Sequence, residues 1–103
     1  MLKSSFLEFD YSLVDRCASG DPRAWEDFVD RFMDLTLRVV DSAAERRARR
    51  LSEDERAEMC EAIFRALRYN DFQLLREFSK QSAVSTYLAV VARRVALALL
   101  DEE

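Results

Sequence analysis

From Trp25 to Val40 the core-type positions recur at steps of three and four: Trp25, Phe28, Val29, Phe32, Leu35, Thr36, Val39 and Val40. On a helix of about 3.6 residues per turn this is one continuous stripe, with acids and arginines behind it. Asp21 suits an N-cap and Pro22 a first helical turn, so the helix starts there. The pattern carries it through "AAERRARR" to an end near Leu51. Ahead of it, "YSLVDRCA" (residues 11–18) predicts a short first helix that stops at "SGDP".

Ser52 and Glu55 have the spacing of a capping box and open a third helix that runs to about Arg68. Cys60, Ile63, Phe64 and Leu67 form its buried face, with Met59 at the edge. Glu58, Glu61, Arg65 and Arg68 fall in a narrow stripe roughly opposite. Taken alone, that stripe is an ordinary solvated face with a Glu61–Arg65 pair at i,i+4. "YNDFQLLREF" then predicts a break at Asn70–Asp71 and a short fourth helix. "SKQSAVS" is a polar connector, in which Ser82 and Ser85 are candidate N-caps for a last helix from about Val84.

This last helix has two apolar sides. Val84, Leu88, Val91, Val95 and Leu99 make the predicted core stripe. Ala89, Val90, Leu97 and Leu100 lie on the other side with Arg93, and Tyr87 and Arg94 share a flank. An unpaired buried charge is costly, so at least one flank near Arg94 faces water or a carboxylate.

Composition sharpens the class. A chain of 103 residues is a single domain. One Gly, one Pro and abundant Ala, Leu, Arg and Glu favour an all-α bundle of about four to five helices. The N-terminal "MLKSSFLEFDYSL" lacks the apolar run of a signal peptide, and no run is long enough to span a membrane. Cys17 and Cys60 read as small core residues in a reducing cytoplasm. With no His, most zinc sites and the His-activated nucleophiles are excluded, and no metal, cofactor or enzymatic activity is expected.

The formal net charge is −4, which argues against non-specific duplex binding by the whole surface. Charge is unevenly spread, however. From Phe72 to Leu100 the bases are Arg76, Lys80, Arg93 and Arg94, against the single acid Glu77. "RRARR" reads as a solvated helix end whose charge Glu53, Asp54 and Glu55 largely cancel.

Three segments in order resemble region 2 of extracytoplasmic-function (ECF) sigma factors, the bacterial RNA polymerase subunits that recognise promoters. They are "LVDRCASGDPRAWEDFVDRF", "SEDERAEMCEAIFRAL" and "LLREF…STYLAVVARRVALALL", and together they cover about residues 11–100 of a domain spanning 1–103. The resemblance implies that the third-helix stripe, Glu58, Glu61, Arg65 and Arg68, docks on the clamp helices of the polymerase largest subunit. It also implies recognition of the promoter −10 element, with an extruded non-template base held beside the loop before the last helix. Lys80, Ser82, Ser85 and Thr86 would bond phosphates and base edges. Phe78 and Tyr87 would stack on the base, and Arg93 and Arg94 would neutralise phosphates.

Several positions depart from the family pattern. Tyr87 stands for its Trp, Arg94 for its Asn, Ala98 for its Asp, and Ala62 for a Glu of the docking stripe. Asp101, Glu102 and Glu103 replace a basic helix end and would repel DNA. The family's second domain, a region 4 helix-turn-helix, has no counterpart in these residues. An alternative reading keeps the scaffold as a protein-interaction module, for instance with an anti-sigma partner, without independent DNA binding. An unrelated helical adaptor is the weakest reading, because it leaves the ordered Trp25, Phe64, Phe78 and Tyr87 unexplained.

Overall fold

A computed structural model describes residues 2–102, with side chains from Leu7 onward. The described chain is all-α and has four helices: α1 (Leu2–Ala18), α2 (Pro22–Arg46), α3 (Glu53–Arg76) and α4 (Val84–Asp101). Helix α1 begins well before the predicted Tyr11, and α2 ends short of Leu51.

Local chemistry sets most of the boundaries. The Asp21 carboxylate accepts hydrogen bonds from the Arg23 and Ala24 amides, capping α2, and Pro22 occupies its first turn. Gly20, the only glycine, lies between α1 and α2 at φ 91°, a left-handed angle that disfavours other residues. Ser52 and Glu55 close a complete capping box at the start of α3, where Glu53, Asp54 and Glu55 also suit the positive helix end.

The predicted break at Asn70–Asp71 is present. Helical geometry lapses from Tyr69 to Phe72, so α3 is two helical segments in series, and the expected short fourth helix is the segment after the break. Helix α4 starts at Val84 as predicted, but neither Ser82 nor Ser85 caps it. Its N-cap is Ala83, and no side chain accepts from its first amides.

Helices α2 and α4 run parallel, with α3 antiparallel to both. One core cluster joins Ala24, Phe28 and Phe32 of α2 to Val84 and Leu88 of α4, together with Phe64, Leu67 and Leu75 of α3 and Leu13, Val14 and Cys17 of α1. The second joins Val40 and Ala43 to Ala92, Ala96 and Leu100, with Met59, Cys60 and Ile63 from α3. The buried row of α4 is therefore Val84, Leu88, Ala92, Ala96 and Leu100, at strict steps of four. It replaces the predicted row through Val91, Val95 and Leu99, which are only half-buried. Small side chains at Ala92 and Ala96, buried against Val40 and Ala43, let α2 and α4 approach closely. Cys17 and Cys60 are free, buried thiols within these clusters.

Candidate functional site

Two exposed surfaces carry the residues singled out from the sequence. The first is the outer side of α4 with the connector that precedes it. Ser85, Thr86, Arg93 and Arg94 are all exposed. Thr86, Val90 and Arg93 follow one line along the helix, Thr86 and Arg93 being about 10 Å apart by helical rise. Between Val84 and Leu100 the helix contains no acid, and neither arginine has an ion-pair partner among the described residues. Val90 is 48% exposed. The outer side of α4 is thus cationic and hydroxyl-bearing at its margins and apolar between them.

The connector is tied to α1. The Tyr11 hydroxyl donates to the carbonyls of Ser82 at 2.9 Å and Lys80 at 3.3 Å. The Lys80 ammonium meets Asp15 at 2.8 Å, in a pair open to solvent. Such a pair contributes little net stability, so a phosphate can compete for the lysine. Ser82 donates to the Ala83 carbonyl at 3.3 Å.

Phe78 requires correction. Its ring is 8% exposed and lies between those of Tyr11, at 5.8 Å, and Tyr87, at 4.8 Å. It belongs to the core and offers no open face to a base. Tyr87 is half-buried, and its hydroxyl donates to the Leu74 carbonyl at 2.7 Å. Among the described residues the most exposed aromatic is instead Tyr69, at 75%, which sequence reasoning missed. The signal was available: Tyr69 sits four residues after exposed Arg65, immediately before the predicted break.

The second surface is the outer stripe of α3. Glu58, Glu61, Arg65 and Arg68 are all exposed there. Arg65 pairs with Glu61 at 3.2 Å, and the Arg68 guanidinium lies over the Trp25 ring at 5.5 Å. Glu58 and Arg65 also border a groove of about 520 Å³ floored by Leu51, Met59, Leu99 and Leu100. Apolar floor and charged rim make this stripe suited to protein contact.

The acidic end of α4 has an internal role. Arg47 grips Asp101 through two hydrogen bonds, at 2.8 and 3.3 Å, tying the ends of α2 and α4 together. That bond holds the Asp101 carboxyl below its ordinary pKa. Part of the "RRARR" run is thereby neutralised within the fold, and Arg49 likewise meets Glu55 at 3.8 Å. Among the described residues no cluster of acids or cysteines is placed to hold a metal ion, and no helix is long and apolar enough to cross a membrane.

No family model matches the chain, and neither does any curated protein or solved structure.

Proposed function

We propose that this chain is a region 2-type domain of an ECF sigma factor, acting in the cytoplasm to dock RNA polymerase core and engage the promoter −10 element. The observation that carries the reading is the outer side of α4, where Ser85, Thr86, Arg93 and Arg94 are exposed with no internal carboxylate to occupy the guanidinium groups. Unpaired arginines two turns along α4 from the hydroxyls and the uncapped helix N-terminus suit successive phosphates of a single strand. Stacking falls to Tyr87, and Phe78 serves as its support. The stripe Glu58, Glu61, Arg65 and Arg68 supplies the polymerase contact, where charge sets partner choice and on-rate more than affinity.

The test is fluorescence anisotropy of a labelled single-stranded −10-type oligonucleotide over a series of salt concentrations. Binding weakens as salt rises. Changing Arg93 and Arg94 together to Ala abolishes binding and leaves the melting temperature unchanged. Equal binding by the double variant removes α4 as the DNA surface. For the docking stripe, Glu58→Lys with Glu61→Lys blocks capture of polymerase core in a pull-down, and undiminished capture rejects that face.

One observation favours a second reading, a protein-interaction module without DNA binding. Phe78 is sealed in the core while Val90 is half open, so the outer side of α4 offers apolar area as well as charge. Failure of the wild-type domain to bind the oligonucleotide, with polymerase or anti-sigma capture intact, selects this reading.

A further inference from the structure

The backbone that divides α3 is strained. Tyr69 leaves the helix in an extended conformation (φ −56°, ψ 141°), and Asn70, Asp71 and Phe72 follow with φ of 53°, 58° and 59°. Three successive left-handed residues, none of them glycine, press each Cβ toward the following carbonyl. Asn and Asp tolerate this region, whereas an aromatic residue there is a genuine outlier. Such strain persists only where surrounding contacts over-determine it.

Those contacts are few and specific. The Arg76 guanidinium spans the turn, donating from Nε to the Asp71 carbonyl at 2.8 Å and from Nη2 to the Asn70 carbonyl at 3.0 Å. The Asn70 amide donates to the Gln73 side chain at 2.7 Å. The Phe72 ring packs edge-on to Trp25 at 5.5 Å. Leu67 on one side and Leu75 on the other are fixed in the core, 0% and 3% exposed. Any movement is therefore confined to the residues between them.

We propose that residues 69–73 form a latched joint with two arrangements. In the latched one, Arg76 holds the left-handed turn and Phe72 covers the edge of Trp25. When Arg76 withdraws, the turn unwinds, Phe72 leaves Trp25, and Tyr69 is re-aimed beside Arg68. Arg76 is exposed and its partners are neutral carbonyls, so the latch lies at the low-stability end of the structure. The joint follows from backbone geometry and does not depend on what α4 binds.

Trp25 is the only tryptophan and touches the moving ring, so its emission reports the latch directly. The test compares the full-length wild type with Arg76→Ala, reading Trp25 emission and the backbone chemical shifts of residues 70–72. Arg76→Ala is expected to lose the left-handed shift signature and red-shift Trp25, while the shifts of Ala92 and Ala96 in the core stay in place. Arg76→Lys keeps the charge but cannot span both carbonyls, and gives an intermediate result. Adding Asn70→Gly and Asp71→Gly to Arg76→Ala removes the strain at those two residues and returns Trp25 emission toward wild type. The proposal is overturned if Arg76→Ala changes neither readout, if Ala92 and Ala96 move equally, or if the glycine pair brings no recovery.

Discussion

The phenol of Tyr87 donates a 2.7 Å hydrogen bond to the carbonyl oxygen of Leu74, joining the first turn of α4 to the last turn of α3. The carbonyls of a closing helical turn lack intrahelical partners, so this bond satisfies a group otherwise left to water. Burial, with a smaller contribution from Glu77, raises the Tyr87 pKa and keeps the hydroxyl a donor at neutral pH. Tyr87→Phe retains ring packing against Phe78 and loses only the bond. The expected destabilisation is about 1 kcal/mol, read from denaturant unfolding with an unchanged m-value.

The seam between α2 and α4 predicts a sharper effect. Ala96 is 0% exposed, in one cluster with Val40 and Ala43. Ala96→Leu forces the helices apart and is expected to cost about 1–3 kcal/mol. Val90→Ala, on the opposite side of α4, is expected to stay within about 0.5 kcal/mol of wild type. Equal effects from the two would contradict the assigned rotation of the helix.

Acid should weaken the fold through two identified carboxylates. The hydrogen bond from Arg47 lowers the pKa of Asp101, and the Ser52 backbone amide lowers that of Glu55. Both groups bind protons less readily in the native state than in the unfolded chain. Their contribution is complete above the unfolded carboxylate range, about pH 4, and is lost as pH falls through the lower native values. Melting temperatures measured at successive pH values should fall on the acid side. Asp101→Asn should melt lower than wild type at neutral pH and converge with it in acid.

Thiol chemistry gives an independent check on the core. Burial pushes the Cys17 pKa up to about 11 and also raises that of Cys60. The thiolate is the reacting species, so both residues should resist a disulfide reagent at neutral pH in the native protein. Labelling of both is expected only as denaturant unfolds the chain, with the same midpoint as loss of helical signal. Rapid labelling of either residue before that midpoint would place it outside the packed core.

Boundaries written in side-chain chemistry are legible in the sequence. Asp21–Pro22, Ser52–Glu55 and the Asn70–Asp71 break all act through local hydrogen bonds or φ preferences. The inward row of α4 is harder to see. Hydropathy weights Val91, Val95 and Leu99 above Ala92 and Ala96, whereas close helix contact selects the smaller side chains. Phe78 departs from the role that the resemblance implies. Its spacing of three from Leu75 already points inward, and the two rest in the same cluster. The early start of α1 has no strong apolar stripe to announce it. Arg93 and Arg94 are both exposed on α4, in keeping with the cost of burying unpaired charge.

The strict four-residue row of α4 separates two inheritances within a single helix. Substitutions at Thr86, Val90, Arg93 and Arg94 can accumulate without touching Ala92 or Ala96, so the chemistry of the outer face is free to drift while the architecture persists. A library randomised at those four outward positions should therefore yield mostly folded proteins that differ only in their outer surface.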